Sequence, residues 1–380
     1  MKITSITPHG LIGDTPEGGW SNEIQPDDCV HTLIQVETDQ GITGWGSVFT
    51  NDGLVRAALH VLEPLYRGEN ALEPERVTEK LRQHMFWLGR GGSIEHTISG
   101  IDIALWDILG QATDQPVGRL LGGRYRERVM PYASLLMDQP APLKEHLLQI
   151  KADGFRAFKM GWGPFGRVNN ALDEQIVAAA REAVGPDNLL MVDAGGSDAY
   201  WTNGYKWALR TAHMLAEYDV YWFEEALQPD ALDEYILLRQ NAPLPIAGGE
   251  VLTRRQAYLP FLVRGAFDIV QPDVTKVGGL SEQRRIARMA QDFGVRYIGH
   301  GWNTALGLAA DLQLAAALPN VDLVEYIGGS AYVDKIMVTP FQLDEDGMLT
   351  IPDTPGLGVS LDPDKVAKYS PDAERLFASD

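Results

Sequence analysis

The chain has 380 residues, a formal net charge of −20, 45% hydrophobic residues and a single cysteine, Cys29. This length allows two domains or one large barrel with an appended unit, and the negative charge argues against nucleic acid or an anionic membrane surface as a partner. A lone cysteine excludes a disulfide framework and a thiolate metal cluster within one chain.

The N-terminal stretch MKITSITPHG lacks the basic region, apolar core and cleavage site of a signal peptide. No apolar run in the sequence approaches the roughly 18 residues that a membrane span requires. We therefore expect a cytoplasmic protein without a membrane-bound segment.

Residues 1–123 are predicted to form an α+β unit. Two stretches with strand-like alternation, KITSITP and VHTLIQVETDQGITGWGSV, flank a loop rich in Gly, Pro and Asp. From Leu54 onward the apolar spacing is helical, and we expect the last of these helices to end at Gly110, shortly before Pro116.

Residues 124–330 alternate between short β-like runs and helix-patterned segments, which predicts a (β/α)8 (TIM-like) barrel of the α/β class. The final segment, 331–380, contains an EDG turn and is expected to return to the N-terminal unit and complete it as a capping domain. The eight predicted barrel strands are MPYASLL (130–136), AFKM (157–160), LLMVDA (189–194), VYWFEE (220–225), LPIAGGE (244–250), FDIVQPD (267–273), RYIGH (296–300) and DLVEY (322–326).

Seven consecutive barrel strands each end in an ionisable residue. In a barrel of this kind the carboxyl ends of the strands meet at one mouth, where the chemistry takes place. A single Lys or Asp after a strand is usually just solvated, but the cluster as a whole predicts an active site. Its members are Lys159, Asp193, Glu224 or Glu225, Glu250, Asp273, His300 and Glu325.

Three of these carboxylates come from neighbouring strands and are predicted to lie close together: Asp193, one of the Glu224–Glu225 pair, and Glu250. Because like charges repel, either protons or a cation must lie between them. An oxygen-only ligand set favours a hard cation, with Mg²⁺ first and Mn²⁺ or Ca²⁺ as alternatives. Strand alternation lets only one of the two glutamates face the mouth, and the spacing does not say which. The competing interpretation is that these carboxylates cap the helices that follow them.

His300 is the only one of the eight histidines that ends a predicted barrel strand. Asp273 on the preceding strand is placed to accept a hydrogen bond from the His300 ring, which would fix its tautomer and raise its basicity. We interpret this pair as a general base that faces the metal site. Glu325 and Lys159 are expected to supply an acid group and a positive charge on other sides of the same mouth.

The order Asp, Glu, Glu, Asp, His, Glu on successive strands resembles the enolase superfamily, specifically its mandelate racemase branch. The resemblance covers essentially the whole chain, and it implies metal ligation by Asp193, Glu224 and Glu250, a His300–Asp273 base, and a Glu325 hydrogen bond to the substrate carboxylate. The motifs that carry it are ISGIDIALWDILGQ…PVGRLLGG, VDAGG, WFEEAL, IAGGE, VQPDVTKVGG, HGWNTALGLAA and PGLGV.

One position departs from the racemase pattern. The family places Lys-x-Lys at the end of the second barrel strand, whereas this chain has Lys159 followed two residues later by Gly161. The second lysine would be a base on the opposite face of the substrate, so a two-base racemase is disfavoured. The resemblance instead implies a Mg²⁺-dependent dehydratase, in which His300 removes the proton α to the carboxylate of a sugar acid and the β-hydroxyl leaves as water.

Three alternatives to the dehydratase stay open: an epimerase or cycloisomerase with the same enediolate chemistry, a Schiff-base aldolase that uses Lys159, and a non-catalytic sugar-acid binding protein. The family also implies a homo-oligomer and a small anionic substrate. Loops over the mouth, near 15–22 and 49–51, are expected to close over that substrate. The predicted substrate contacts are Trp20, Trp162, Arg167, Trp302 and Asn303.

Overall fold

The N-terminal part of the chain combines an antiparallel sheet with helices. The computed structural model describes residues 1–12, 30–197, 201–327 and 331–370. The sheet has the order β1-β2-β3, and its apolar side packs on the helices, chiefly on α3. The elements are β1 (Ile3–Leu11), β2 (His31–Thr38), β3 (Thr43–Val48), α1 (Asp52–Tyr66), α2 (Pro74–His84), α3 (Ser93–Thr113) and α4 (Val117–Leu120).

The central part of the chain forms a parallel sheet of eight strands with helices outside it. The hydrogen-bonded order is β10-β9-β8-β7-β6-β5-β4-β11, in which all eight strands run parallel. The strands are β4 (Arg128–Leu136), β5 (Ala157–Gly161), β6 (Leu189–Asp193), β7 (Phe223–Glu224), β8 (Ile246–Gly248), β9 (Ile269–Val270), β10 (Arg296–Tyr297) and β11 (Leu323–Ile327). The helices are α5 (Pro140–Ala152), α6 (Asn170–Val184), α7 (Tyr205–Glu217), α8 (Leu232–Asn241), α9 (Arg254–Arg264), α10 (Gly279–Asp292) and α11 (Ala305–Ala317).

The sheet curls around a buried layer of apolar side chains, as a closed barrel requires. Each of the eight strands, or a residue directly beside it, contributes one member of this layer. At the two ends of the hydrogen-bonded order, Arg296 donates to Asp322 at 2.6 Å, and the Gly301 amide donates to Glu325 at 2.7 Å. The layer consists of Tyr132, Ala157, Met191, Trp222, Ala247, Ile269, Ile298 and Leu323.

The last segment lies against both other parts of the chain. It contains α12 (Ala331–Asp334), β12 (Leu349–Thr350) and α13 (Pro363–Ala367), and β12 pairs antiparallel with β4. The Leu357 amide donates to Asp107 of α3 at 2.9 Å. The helix α11 is buried on every face, and its sequence is correspondingly apolar apart from Asp311 and Gln313.

The predicted fold class is confirmed, and the structure corrects one predicted boundary. Gly110 does not end α3: the helix continues to Thr113, and Asp114 follows in the left-handed region with φ 53°. Gly110 is needed for packing instead, because a Cβ atom there would lie 2.6 Å from the backbone of Gly356. Among the described residues, no helix has both the length and the apolar character of a membrane span.

Candidate active site

The ionisable residues predicted at the strand ends meet at one mouth of the barrel. Lys159, Asp193, Glu224 and Glu325 lie within β5, β6, β7 and β11, and the other three follow β8, β9 and β10 within three residues. All seven side chains are buried: Lys159, Asp193, Glu224, Glu250, Asp273, His300 and Glu325.

Asp193, Glu224 and Glu250 form a compact set of oxygen ligands, with one carboxylate oxygen from each within 4.8 Å of the others. Burial raises the pKa of Asp193 well above its usual value, and repulsion from Glu224 and Glu250 adds to this against the opposing effect of Lys159. A divalent cation would relieve that repulsion, and hard cations prefer oxygen ligands such as these. The donor set therefore fits the metal site predicted from the sequence.

The structure distinguishes the two adjacent glutamates. Glu224 points into the barrel, where Lys159 Nζ lies 2.6 Å from its Oε1. Its Oε2 accepts hydrogen bonds from Trp222 Nε1 at 2.9 Å and Gln271 Nε2 at 2.8 Å. Glu225 has a positive φ of 45° and accepts from Ser197 Oγ at 2.7 Å. Glu224 is thus the member of the pair that belongs to the carboxylate set.

Sequence reasoning missed Trp222 and Gln271. Each lies two residues before a predicted site residue, Glu224 and Asp273 respectively. Because residues two apart on a strand point to the same face, the alternation could have placed both side chains beneath the mouth.

His300 and Asp273 form the predicted pair. The distance from His300 Nδ1 to Asp273 Oδ2 is 2.7 Å, which leaves Nε2 directed towards Glu250 Oε2 at 3.1 Å. Asp273 Oδ1 accepts from the backbone amide and the hydroxyl of Thr275 at 2.7 and 2.6 Å. Burial opposes ionisation of Asp273, but Lys276 and the hydrogen bonds from His300 and Thr275 outweigh it and lower the pKa of this carboxyl. Asp273 is therefore an anion that orients the His300 ring.

Lys159 connects the carboxylate set with the opposite part of the mouth. Its Nζ lies 2.6 Å from Glu224, 3.0 Å from Glu325 and 3.8 Å from Asp193. Burial opposes the charged form, but Glu224 and Glu325 outweigh it and raise the pKa of Lys159 well above its usual value. Burial likewise acts to raise the pKa of Glu325, but the lysine outweighs this and lowers it to about 2. Lys159 is an ammonium ion held by carboxylates on two sides.

These groups surround a cavity of about 260 Å³. Phe49, from the segment predicted to close over the substrate, reaches it from the end of β3, and Trp162 and Trp302 line it as expected. The other lining residues are Ser134, Leu135, Leu136, Lys159, Gly161, Asp193, Ser197, Glu250, Val251, Lys276 and His300.

The other predicted substrate contacts are placed differently. Arg167 lies outside the lining set: its guanidinium is 5.6 and 5.0 Å from the Trp162 and Trp201 rings, and it donates to backbone carbonyls such as that of Ala194. Asn303 is buried at the start of α11 and also lies outside the lining set. Arg167 therefore supports Trp162 from behind. Trp20 and the loop 15–22 lie outside the described residues.

Gly161 lines the cavity directly beside the carboxylate set. A Cβ atom at this position would lie 3.0 Å from Asp193 Cβ and 3.1 Å from its Oδ2. Because few real Cβ contacts are this short, a lysine here would require Asp193 to shift by a few tenths of an ångström. Glycine at position 161, in place of the second lysine, thus allows Asp193 to pack closely against β5.

Lys276 is a second buried cation at the cavity that sequence reasoning missed. It lies in the loop between β9 and α10, with its Nζ 4.3 Å from the centroid of the Phe49 ring. The direction of a lysine side chain in a loop cannot be predicted from sequence periodicity, because it depends on the conformation of the loop and on its tertiary contacts.

Comparison with known proteins agrees with this geometry. Residues 27–122 match the family described as mandelate racemase/muconate lactonizing enzyme, N-terminal domain, and residues 143–365 match the one described as enolase C-terminal domain-like. The chain belongs to the mandelate racemase branch of the enolase superfamily. It is therefore an enzyme of that superfamily.

Relatives within the branch include both dehydratases and cycloisomerases. The chain is 33% identical to D-galactarolactone cycloisomerase of Agrobacterium fabrum, over 97% of this chain and 99% of the relative. It is also 33% identical to D-xylonate dehydratase of Haloferax volcanii, over 91% and 86% of the two chains. Both names describe enzymes that act on a sugar acid or its lactone.

Solved structures from the same branch superpose closely on this one. The 3,6-anhydro-D-galactonate cycloisomerase of Zobellia galactanivorans gives a TM-score of 0.87 at 31% identity, over 97% of this chain and 99% of that chain. A racemase from Streptomyces coelicolor with bound magnesium gives 0.84 at 28% identity, over 97% and 99%. Enzymes of this superfamily use Mg²⁺, and the carboxylate set is where this chain could bind a metal.

Proposed function

We propose that this enzyme is a Mg²⁺-dependent sugar-acid dehydratase. It would remove the proton α to the carboxylate of an aldonate or aldarate and expel the β-hydroxyl as water, which gives a 2-keto-3-deoxy acid. The observation that carries the proposal is the His300–Asp273 pair facing the carboxylate set, with Gly161 where a base on the opposite face would be.

In the proposed reaction, the metal ligands and His300 have different roles. Asp193, Glu224 and Glu250 would hold Mg²⁺, which supplies stabilisation of the negative charge that develops on the substrate carboxylate. Because Asp273 engages Nδ1, His300 accepts the α-proton at Nε2. The same nitrogen then returns its proton to the departing hydroxyl, and the enol that remains tautomerises to the keto acid.

In the proposed reaction, Lys159 and Glu325 lie near the carboxylate of the substrate. Lys159 would contribute positive charge near the substrate carboxylate. Glu325 is an anion paired with Lys159 in the metal-free protein, so it would have to take up a proton before it could donate a hydrogen bond to that carboxylate as the enediolate forms. The ion pairs of Lys159 argue against the aldolase alternative, since a Schiff base requires a neutral amine and this ammonium lies 2.6 Å and 3.0 Å from two carboxylates.

A cycloisomerase of a sugar-acid lactone or anhydro sugar acid is the second candidate function. It is favoured by the near full-length similarity to the cycloisomerases of Agrobacterium fabrum and Zobellia galactanivorans. The same residues would serve this reaction, with a ring oxygen in place of the β-hydroxyl as the leaving group.

The test is product formation from a panel of aldonates, aldarates and galactarolactone in the presence of Mg²⁺, with 2-keto acids trapped by semicarbazide. We expect a 2-keto-3-deoxy acid from one of the open-chain acids and its loss in His300→Asn. His213→Asn is the matched control, because this histidine is exposed on α7. Product from the lactone alone would replace the dehydratase by the cycloisomerase, and equal activity in His300→Asn would refute the assigned base.

A further inference from the structure

The ammonium group of Lys276 has unused hydrogen-bonding capacity at the cavity. The residue is 5% exposed and lines the cavity. An ammonium has three donors, but within the described parts of the chain its one hydrogen bond is to Glu250 Oε1 at 3.5 Å, with Asp273 Oδ2 at 3.8 Å. The charge is paired with two carboxylates, but buried donors without an acceptor are costly, so a further acceptor from the cavity side would complete the arrangement.

Lys276 lies on the same side of the cavity as His300. Its loop follows β9, and β9 is the neighbour of β10, which leads to His300. The two nitrogens contact different oxygens of Glu250, with His300 Nε2 at 3.1 Å from Oε2 and Lys276 Nζ at 3.5 Å from Oε1. Both residues line the cavity, so a substrate bound beside Glu250 would contact His300 and Lys276 together.

The capping elements hold the Lys276 loop in this position. Ser99 Oγ accepts from the Gly278 amide at 2.8 Å, and Arg82 Nη2 donates to the Gly278 carbonyl at 2.7 Å. The Asp102 carboxylate accepts from the Ser281 amide at 2.9 Å. These contacts outside the cavity fix the backbone of the loop, and the ammonium group lines the cavity beside Glu250, Asp273 and the Phe49 ring.

We propose that Lys276 binds the leaving oxygen on the β-carbon of the substrate and stabilises it as the C–O bond breaks. The inference rests on the proposed elimination. His300 takes the α-proton, the electron pair of the C–O bond leaves with the oxygen, and the proton from the His300 imidazolium completes the water molecule. Lys276 keeps its three protons and contributes a charged hydrogen bond to the oxygen on which negative charge develops.

The experiment compares leaving groups in Lys276→Met at saturating Mg²⁺. The probes are D-xylonate and D-galactonate, together with their 3-deoxy-3-fluoro analogues, and α-proton exchange is followed in D₂O. Fluoride is a far weaker base than hydroxide and depends much less on a donor. We expect water elimination to fall by about 10²–10³-fold, whereas fluoride elimination and α-proton exchange stay within about tenfold. Lys276→Arg should recover part of the lost water elimination.

Controls separate this role from a structural one. Because Lys276 neighbours the metal ligand Glu250, the Mg²⁺ affinity of each variant is measured by calorimetry before the assays. Lys144→Met removes a lysine paired with Glu182 at 2.5 Å on the helical exterior and should change none of the three rates.

The outcomes distinguish the inference from the function on which it rests. Equal loss of all three rates in Lys276→Met, or unchanged water elimination, overturns the role of Lys276 while the dehydratase stands. If the wild-type enzyme releases water from no aldonate or aldarate of the panel described above and fluoride from neither analogue, both the dehydratase and the role of Lys276 fall.

Discussion

Glu224 is the most constrained carboxylate of the proposed metal site. Lys159 contacts one oxygen, while Trp222 and Gln271 donate to the other at 2.9 and 2.8 Å. Donors of this kind orient a metal ligand before the ion arrives, and their loss commonly weakens metal binding. Trp222 and Gln271 are thus positioning residues for Glu224.

Gln271→Leu should lower the affinity for Mg²⁺ by about 10–100-fold, because Glu224 loses one of the donors that fix its orientation. Titration calorimetry with Mg²⁺ measures this directly, without substrate. Gln149→Leu is the matched control, since this glutamine is exposed on α5 and bonds to Asp153. Unchanged affinity in Gln271→Leu would show that the hydrogen bond does not position the ligand.

The sequence predicted those site residues whose direction follows from strand periodicity. Asp193 and His300 were found because they end strands, and the choice of Glu224 over Glu225 needed either the family resemblance or the structure. Lys276 was not predicted, and Arg167, predicted from its loop position as a substrate contact, lies outside the cavity lining; non-local contacts orient both. The loop of Lys276 is held by Ser99 and Asp102 of α3, and Arg167 stacks on Trp201.

At the level of elements, the ends of β2 and β3 meet α12 in an aromatic cluster beside the cavity. The ring of His31 lies 4.9 Å from that of Phe49 and 5.6 Å from that of Tyr332, both edge-on. Burial lowers the pKa of His31 to about 4, and the nearby Asp273 opposes this while Lys276 and His300 add to it. The folded protein therefore holds His31 neutral at pH 7.

This cluster predicts a pH-dependent stability. The pKa of His31 is about 4 when folded and 6.5 as the unperturbed value, so the unfolded chain binds more protons between these limits. The contribution of His31 is fully present above pH 6.5 and is lost as the pH falls towards 4, by about 3 kcal/mol in the free energy of unfolding.

Chemical denaturation of the wild type and His31→Gln at pH 7 and pH 4 measures this contribution. We expect the wild type to lose about 3 kcal/mol more than the variant over this range. Buried carboxyl groups that titrate over the same range contribute equally to both proteins and cancel in the comparison. Parallel pH profiles would contradict a neutral, buried His31.

The order and type of the elements followed from sequence, but their ends did not. All eight barrel strands lie within or overlap the predicted runs, yet the run 220–225 gives only a two-residue strand, Phe223–Glu224. Glu225 follows with a positive φ of 45°, which ends the regular strand, and periodicity carries no signal for this turn of the backbone. The glycine within α3 at position 110 likewise reflects the close approach of Gly356, a residue about 250 positions away, which no local pattern predicts.

At the scale of the whole molecule, binding of a cation at the buried carboxylate set of this acidic protein should affect the stability of the fold. In the metal-free protein, burial and mutual repulsion destabilise the carboxylate set. A ligand that binds only the folded state stabilises it according to its concentration relative to its Kd. Mg²⁺ should therefore stabilise the folded enzyme.

Mg²⁺ at a hundredfold excess over its Kd should stabilise the wild type by about 2.7 kcal/mol relative to EDTA. Thermal unfolding with and without the ion measures the difference. Asp193→Asn should lose the Mg²⁺ effect and be no less stable than the wild type in EDTA, because one repelling charge is gone. Asp233→Asn, at an exposed position on α8, should respond like the wild type. An equal response of Asp193→Asn would place the ion elsewhere.

The central proposal is that His300 removes the α-proton of a sugar acid and promotes loss of its β-hydroxyl, without a base on the opposite face of the substrate. Proton NMR in D₂O, with Mg²⁺ and a panel of five- and six-carbon aldonates and aldarates, tests it most directly. We predict that one acid gives a product with a new signal from protons on a 3-deoxy carbon, and that this signal is absent with His300→Asn. Exchange of the α-proton or formation of a stereoisomer, without any 3-deoxy signal from any acid, would contradict the claim and indicate a second acid on the face opposite His300.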